Sequence, residues 1–455
     1  MRNKSVQMSL LDIYKDVEER LESDKPAVFK LFDEHINWHE IIPDSFYFAF
    51  YKKFGRNRKY DLESFMRALF LQRIFHYVED SQLLNTLNFS REMREYCEFD
   101  KVPDASKLTR FKQNFCEYIR EVFENLVEIT ESICREMDKK LADELLFDTT
   151  GIESCVAENN PKFPRTKAGE TVEFTGVANS NPAVKLQYIN GHMCYAQRAV
   201  VITNGLGIVR HLELFDEDFK KSHPEMRIEK RTNNPEVDKE IGDSTALKPI
   251  LNDFHKTHPK FIYSTFSGDS AFDSYDNYRF LLNEYGFSKA VIPLRNFGVS
   301  DINFNEHGTP LCPADGTPFV YWGRCDGIKR SARLKFVCPR SQRVETTLVN
   351  QCKNPCTASK YGRCVYVQVN KNLRLYPGIA RDSDEFAEIY KRRTTVERSI
   401  NTLKETLGVA NRKTSNVLTT KADLFLAGIV QLICVLLAHK LHDRKLARSP
   451  RRLIA

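Results

Sequence analysis

Near Leu141 the hydrophobic pattern of the chain switches from a helical period to strand-like runs, and this switch constrains the fold more than any other feature. Upstream, residues 1–138 read as an all-α N-terminal domain. In "YDLESFMRALFLQRIF" (60–75), Leu62, Phe65, Met66, Leu69 and Phe70 recur at helical spacing. That spacing predicts an amphipathic helix with Asp61 as its N-cap. Asp80 or Ser81 starts a short helix, and "PDASKLTRFKQNF" (103–115) is a capped start running into a long helix through about Met137. Lys107, Arg110 and Lys112 on that stretch suit a helical module that reads DNA, although a bundle with basic solvated positions has the same spacing.

Downstream, "ELLFDTTGIES" (144–154) opens with an apolar run ending in Asp148, as a buried strand does when its last residue emerges at the sheet edge. Residues from Asn159 to about Pro182 read as a loop. The runs 193–204 and 207–218 flank Asn204-Gly205, a hairpin signal. A helix over 245–258 starts near Ser244. A strand-like run, 260–272, again ends near an aspartate, Asp269. A helix over 274–286 stops at Gly286, and 289–294 is a further strand. An insertion, 297–377, then precedes a late helix. This order predicts an α/β core with a mixed sheet flanked by helices, in two parts (139–296 and 378–442), followed by a basic tail over 443–455.

Hydrophobic residues make up 42% and charged residues 28% of the 455, an ordinary globular composition that excludes a disordered chain and leaves room for two or three domains. The net charge of +7 permits a polyanionic partner without identifying one. Its placement says more: "KRR" (391–393), "NRK" (411–413) and "RKLARSPRR" (444–452) are all late in the chain. No secretory-signal pattern opens the sequence. The apolar run 424–438, interrupted by Gln431, is short for a membrane span and reads as a helix buried in protein, so no membrane partner is expected. Twelve cysteines without an export signal point to reduced thiols or metal ligands and to the cytoplasm.

The stretch "YKRRTTVERSINTLK" (390–404) would bring Tyr390, Arg393, Glu397 and Lys404 within an arc of roughly 60° on a helix. Alone, this fits a solvated face with an Arg393–Glu397 pair. Asp148 and Asp269, each at the end of a predicted strand, alter that reading. If the helix packs across those strand ends, three carboxylates converge, and clustered carboxylates gain protons unless cations offset them. Hard oxygen ligands with open positions suit two Mg²⁺ or Mn²⁺ ions, which can activate a water or a 3′-hydroxyl and stabilise a departing oxygen. Arg393 and Lys404 would grip phosphates on either side of the one being cut, and Tyr390 would bond a phosphate or stack on a displaced base. Arg398, Lys107 and Arg110 complete the set of candidate DNA contacts. Glu153, Asp273 and Asp276, near the same strand ends, read as caps or turn residues.

All four positions of that stretch match the Tyr-x2-Arg-x3-Glu-x6-Lys signature, and the chain resembles bacterial insertion-sequence transposases of the DDE class. "LLFDTTGIES" and "TFSGDSAFDS" resemble the surroundings of the first and second aspartates of the DDE triad. "KYDLESFMRALFLQRIFHYVEDSQLL" and "PDASKLTRFKQNF" look like the helical domain that precedes the catalytic core. The resemblance covers nearly the whole chain. It implies an RNase H-like, retroviral-integrase-type core, with an insertion before the glutamate helix in part of the family. It further implies that Asp148, Asp269 and Glu397 bind the catalytic metal ions and that Tyr390, Arg393 and Lys404 touch the transposon end. The implied reaction is hydrolytic nicking at the ends, then attack of the freed 3′-hydroxyl on target DNA. The implied partners are double-stranded DNA and further copies of the chain, as a homodimer or higher multimer associated with the nucleoid. A transposase-derived DNA-binding regulator and a metal-dependent nuclease without strand transfer are the other readings; the complete acidic triad disfavours the regulator.

Six cysteines lie in the insertion: Cys312, Cys325, Cys338, Cys352, Cys356 and Cys364. The Cys-Pro turns at Cys312 and Cys338 and the spacing of Cys352 and Cys356, with Cys364, allow a structural Zn²⁺. No Cys-x2-Cys pair is present, and ordinary thiols account for the same residues. The family resemblance offers instead a β-rich insertion that clamps the DNA end, with Trp322 either a stacking wedge or a core residue.

Overall fold

Helices α1 (Ala27–His35), α2 (Trp38–Ile41), α3 (Asp44–Phe50), α4 (Leu62–Ile74), α5 (Asp80–Phe89), α6 (Arg91–Tyr96), α7 (Ala105–Asn114) and α8 (Cys116–Met137) precede the sheet. The computed structural model describes residues 9, 11, 14–15, 26–52, 57–160, 176–189, 192–226, 242–295, 303–327, 330–344, 347–410 and 412–454. Most of the loop expected from Asn159 to Pro182 lies outside them, as do the first residues of the insertion. Local chemistry explains the helix starts. The Asp104 carboxylate accepts from the Lys107 N–H at 3.2 Å, and Glu79 with Gln82 forms a capping box ahead of α5. The long helix expected through Met137 is interrupted at Phe115, whose φ of −123° separates α7 from α8.

Two expectations for α4 need correction. It is buried on every side, with Ser64, Gln72 and Arg73 enclosed as well as its apolar residues, so it is a central helix rather than an amphipathic one. Asp61 occupies the N-cap position, but its carboxylate accepts from the Tyr51 hydroxyl at 3.0 Å and makes no cap bond.

The sheet contains β1 (Glu144–Glu153), β2 (Lys185–Ile189), β3 (His192–Asn204), β4 (Val209–Leu214), β5 (Thr265–Ser267) and β6 (Lys289–Val291). Its order is β2-β3-β1-β5-β6, with β4 also paired to β3. The pairings are antiparallel on the β3 side of β1 and parallel on the β5 side. Helix α9 (Asp243–Thr257) leads into β5, and α10 (Tyr275–Arg279) runs on as a π-helix to Tyr285 before β6. Strand β1 does not end at Asp148: it continues to Glu153 because β3 stays paired with it that far. The β3–β4 hairpin forms where Asn-Gly predicts, yet the left-handed residue is Gly207 (φ +79°) rather than Gly205. The Asn204 side chain accepts from the N–H groups of Leu206 and Ile208, which fixes this wider turn.

Strand alternation divides the core. Leu146, Ile152, Ala199 and Val201 face the N-terminal helices and the last long helix in one continuous cluster. Leu145, Phe147, Val200 and Ile202 face α9 and the insertion. The helices upstream of residue 138 therefore share a core with the sheet.

The insertion is β-rich. Strands β7 (Val320–Gly327), β8 (Arg330–Val337) and β11 (Cys364–Gln368) form a three-stranded sheet, and β9 (Ser341–Val344) pairs with β10 (Thr347–Asn350). Leu334, Phe336 and Val367 dock it on the α9 side of the core. Trp322 is 42% exposed, so it is not a core residue, and the Lys335 ammonium lies 5.9 Å from its ring centroid. After the insertion come α11 (Asp384–Arg392), α12 (Thr394–Asn401), a π-turn over Thr402–Thr406 and α13 (Val417–Lys440). Helix α13 carries the apolar run 424–438 and is long and apolar enough to cross a membrane, but 89% of its apolar window is buried within the protein.

Candidate catalytic site

The parallel register places the two aspartates. Ser267 at the end of β5 pairs with Leu146 on β1, so two residues further on Asp269 comes alongside Asp148, where β1 has lost its β5 neighbour. Asp269 caps the short turn Ser270–Phe272, its carboxylate accepting from the Ala271 N–H. Asp148 accepts from the Thr149 N–H at 2.8 Å.

Glu397 is delivered by α12, which long-range contacts hold across β1 and β3. Arg392 forms a bidentate pair with Glu144 at the start of β1, at 2.8 and 2.5 Å. Ser399 donates to the Gly207 carbonyl at 2.6 Å, and Gln431 on α13 donates to the same oxygen at 3.1 Å. A Cβ on Gly207 would lie 2.7 Å from Thr395 Cγ2, so the left-handed glycine also permits the close approach of α12. Glu144, Gly207, Arg392, Ser399 and Gln431 position the site, and nothing local in the sequence marks them.

Arg393 links the acidic groups. Its guanidinium lies 3.8 Å from Asp148 and 2.5 Å from Glu397. Burial pushes the Asp148 carboxyl up to about 6; the charges of Asp269 and Glu397 add to this, while the Thr149 N–H and Arg393 oppose it. The structure thus brings the charges of Asp269 and Glu397 to bear on Asp148, and Arg393 pairs with Asp148 and Glu397.

The other expected residues diverge. Lys404 lies in the π-turn, off the ideal helical arc, and its ammonium donates to the Gly151 carbonyl at 2.9 Å. Burial lowers its pKa below the ordinary lysine value. Tyr390 packs beside Val291, Ile379 and Phe386, with the Arg393 guanidinium 5.9 Å from its ring centroid, so the ring buttresses Arg393. Arg398 is exposed on α12. Lys107 and Arg110 are exposed on α7, on the wall of an 840 Å³ cavity shared with Lys52, Arg58 and Lys59. Lys112, by contrast, is fully buried and paired with Asp80 at 3.1 Å and Asp423 at 3.4 Å, which removes it from any DNA-reading surface. Asp273 is held by a bidentate pair with Arg374 at 2.9 and 2.6 Å, a structural role.

The zinc expectation for the insertion is not met among the described residues. No three of Cys312, Cys338, Cys352, Cys356 and Cys364 have ligand atoms within 4.8 Å of one another, as Glu153, His192 and Cys194 do. Cys312 and Cys338 are buried, whereas Cys364 on β11 is exposed to solvent.

Residues 15–114 match a transposase domain family (DUF772), and residues 236–433 match the transposase DDE domain family. The chain is an insertion-sequence DDE transposase. The DDE match spans Asp269, Tyr390, Arg393, Glu397 and Lys404 of the transposase; Asp148 lies upstream of it and joins them through the β1–β5 register. Among solved structures, the transposase is similar to a piggyBac transposase in a synaptic complex with hairpin DNA, at 11% identity and a TM-score of 0.37, over 93% of this chain and 78% of that one. No curated protein matches it.

Proposed function

We propose that this transposase cuts the ends of its element and joins the freed 3′-hydroxyls to target DNA at a site built from Asp148, Asp269 and Glu397. The observation that carries the reading is the convergence of three carboxylates from β1, the β5 terminus and α12, with Asp148 pushed up to about 6 by burial and by its acidic neighbours. The strand order, antiparallel up to β1 and parallel beyond it, supports an RNase H-like core. Transposases of this class use divalent metal ions, and an all-carboxylate donor set short of positive charge fits hard cations such as Mg²⁺ or Mn²⁺. Bound between these three residues, two such ions would supply an activated oxygen nucleophile and charge stabilisation for the departing oxygen.

The chain's own residues supply the rest. Arg393 offsets the acidic charge and presents a fork suited to a phosphate. Lys404, held against β1 beyond Asp148, sets the register of the DNA end, and Tyr390 keeps Arg393 in place. Arg398, Lys107 and Arg110 extend the contact to flanking duplex. Two element ends require at least two copies of the chain in one complex, assembled on cytoplasmic, nucleoid-associated DNA.

The test incubates the protein with labelled element ends, a target plasmid and Mg²⁺. Joined products are expected. Cleavage without joining would reduce the function to that of a nuclease, and binding alone would reduce it to that of a regulator.

A further inference from the structure

We propose that Glu153, His192 and Cys194 form a second metal site, of zinc type, separate from the carboxylate triad and independent of its function. His192 and Cys194 are two apart on β3, so their side chains share one face of the strand. Glu153 closes β1 and pairs with Ala196, the next residue along that same face. One ligand atom from each of the three lies within 4.8 Å of the others. Glu153 and His192 stand 3.8 Å apart as a potential ion pair.

The donor types decide which ion fits. A thiolate, an imidazole and a carboxylate suit borderline-soft Zn²⁺ far better than Mg²⁺, which prefers oxygen alone. Three protein ligands leave a fourth tetrahedral position for water or a phosphate oxygen. Cys194 is 3% exposed, while Glu153 and His192 are half-exposed, so the thiol forms the floor and the other two form an open rim. The nearby ammonium of Lys404 is turned to the Gly151 carbonyl at 2.9 Å. Glu153 is five residues beyond Asp148 on an extended strand, roughly 16 Å away, so an ion here cannot be one of the catalytic pair. A bound ion would staple the end of β1 to the β2–β3 hairpin beside Lys404.

Cobalt tests this directly, because Co²⁺ takes zinc sites and a thiolate ligand gives it a near-ultraviolet charge-transfer band. The full-length protein, stripped with chelator, is titrated with Co²⁺ and then with Zn²⁺. One equivalent of Co²⁺ should develop the band together with visible tetrahedral bands, and one equivalent of Zn²⁺ should abolish both. Cys194→Ser should remove the charge-transfer band, whereas Cys312→Ser and Asp148→Asn should retain it. His192→Ala and Glu153→Gln alter exposed side chains, and each should weaken Co²⁺ binding by about tenfold or more. These two variants keep the test decisive if Cys194→Ser fails to fold. Absence of the band, its survival in Cys194→Ser, or unchanged affinity in both rim variants would overturn the site.

Discussion

Arg393 stands between two acids, its guanidinium 3.8 Å from Asp148 and 2.5 Å from Glu397. Burial, helped by the charges of Asp269 and Glu397, still pushes the Asp148 carboxyl up to about 6 against the pull of the Thr149 N–H and Arg393. Metal ions and protons therefore compete for the same oxygens. Asp269 and Glu397 face Asp148 as acidic groups and Arg393 as a cation, so the competition is set by those four groups. Mn²⁺ affinity should be roughly tenfold weaker at pH 5 than at pH 7. Calorimetric titration at the two values checks this; equal affinities would show that Asp148 is not a ligand.

The same upward shift bears on stability. In the unfolded chain Asp148 titrates near 3.8, and in the folded protein near 6. Between those values the native state holds a proton that the unfolded state has lost, so stability falls as pH rises through this window. Above pH 6 the full penalty remains, up to about 3 kcal/mol. Asp148→Asn removes the ionisable group and should raise the thermal midpoint at pH 8 while leaving it nearly unchanged at pH 4. A variant less stable than the parent at pH 8 would contradict the buried, charge-starved setting of this carboxylate.

Glu397 is the most exposed of the acid–base trio it forms with Asp148 and Arg393, with 48% of its side chain open to solvent. Glu397→Gln should therefore fold normally and keep binding element ends while losing cleavage. Gel-shift and cleavage assays on one preparation separate the two effects, and unchanged cleavage would refute its assignment.

Lys404 offers one positive charge beside β1, partly satisfied by the Gly151 carbonyl. If it also meets a phosphate, Lys404→Ala should weaken end binding and reduce the slope of log K against log salt by about one. An unaltered slope would leave Lys404 with only its structural bond.

Asp148, Asp269 and Glu397 were legible as candidates because apolar runs led into the aspartates and the Tyr-Arg-Glu-Lys spacing marked the helix. Their meeting was legible only as an expectation, because the contacts that produce it, the β1–β5 register, the Ser399–Gly207 bond and the Arg392–Glu144 pair, form only in the folded chain. Lys112 shows the limit most clearly. A lysine among other basic residues on a capped helix reads as solvated, and its partner Asp423 is 311 residues away. Cysteine spacing likewise drew attention to the insertion. The set whose ligand atoms do meet combines a histidine and a cysteine on β3 with a glutamate on β1. Local spacing sees neighbours along the chain, whereas buried charges and mixed ligand sets are defined by neighbours across it.

Asp423 is the anchor of the network that captured Lys112. It is fully buried and bonded to Arg73, to Lys112 at 3.4 Å and to Arg412 at 2.9 Å, while Asp80 pairs with Lys112 and Arg412 from the other side. Burial pushes its carboxyl up, but Arg412, Arg73 and Lys112 outweigh this and hold it below the ordinary aspartate value. Arg73 also donates to the carbonyls of Leu407 and Gly408, so the network ties α4 and α7 to the chain just beyond the Lys404 turn. Removing the acid leaves three buried cations facing one carboxylate, and breaking a buried pair in this way costs about 3–5 kcal/mol. Asp423→Ala should lose that much in denaturant unfolding, whereas Lys107→Ala, on the exposed face of the same α7, should change stability by less than about 0.5 kcal/mol. Equal losses at the two positions would mean that the buried charges contribute no more than surface ones.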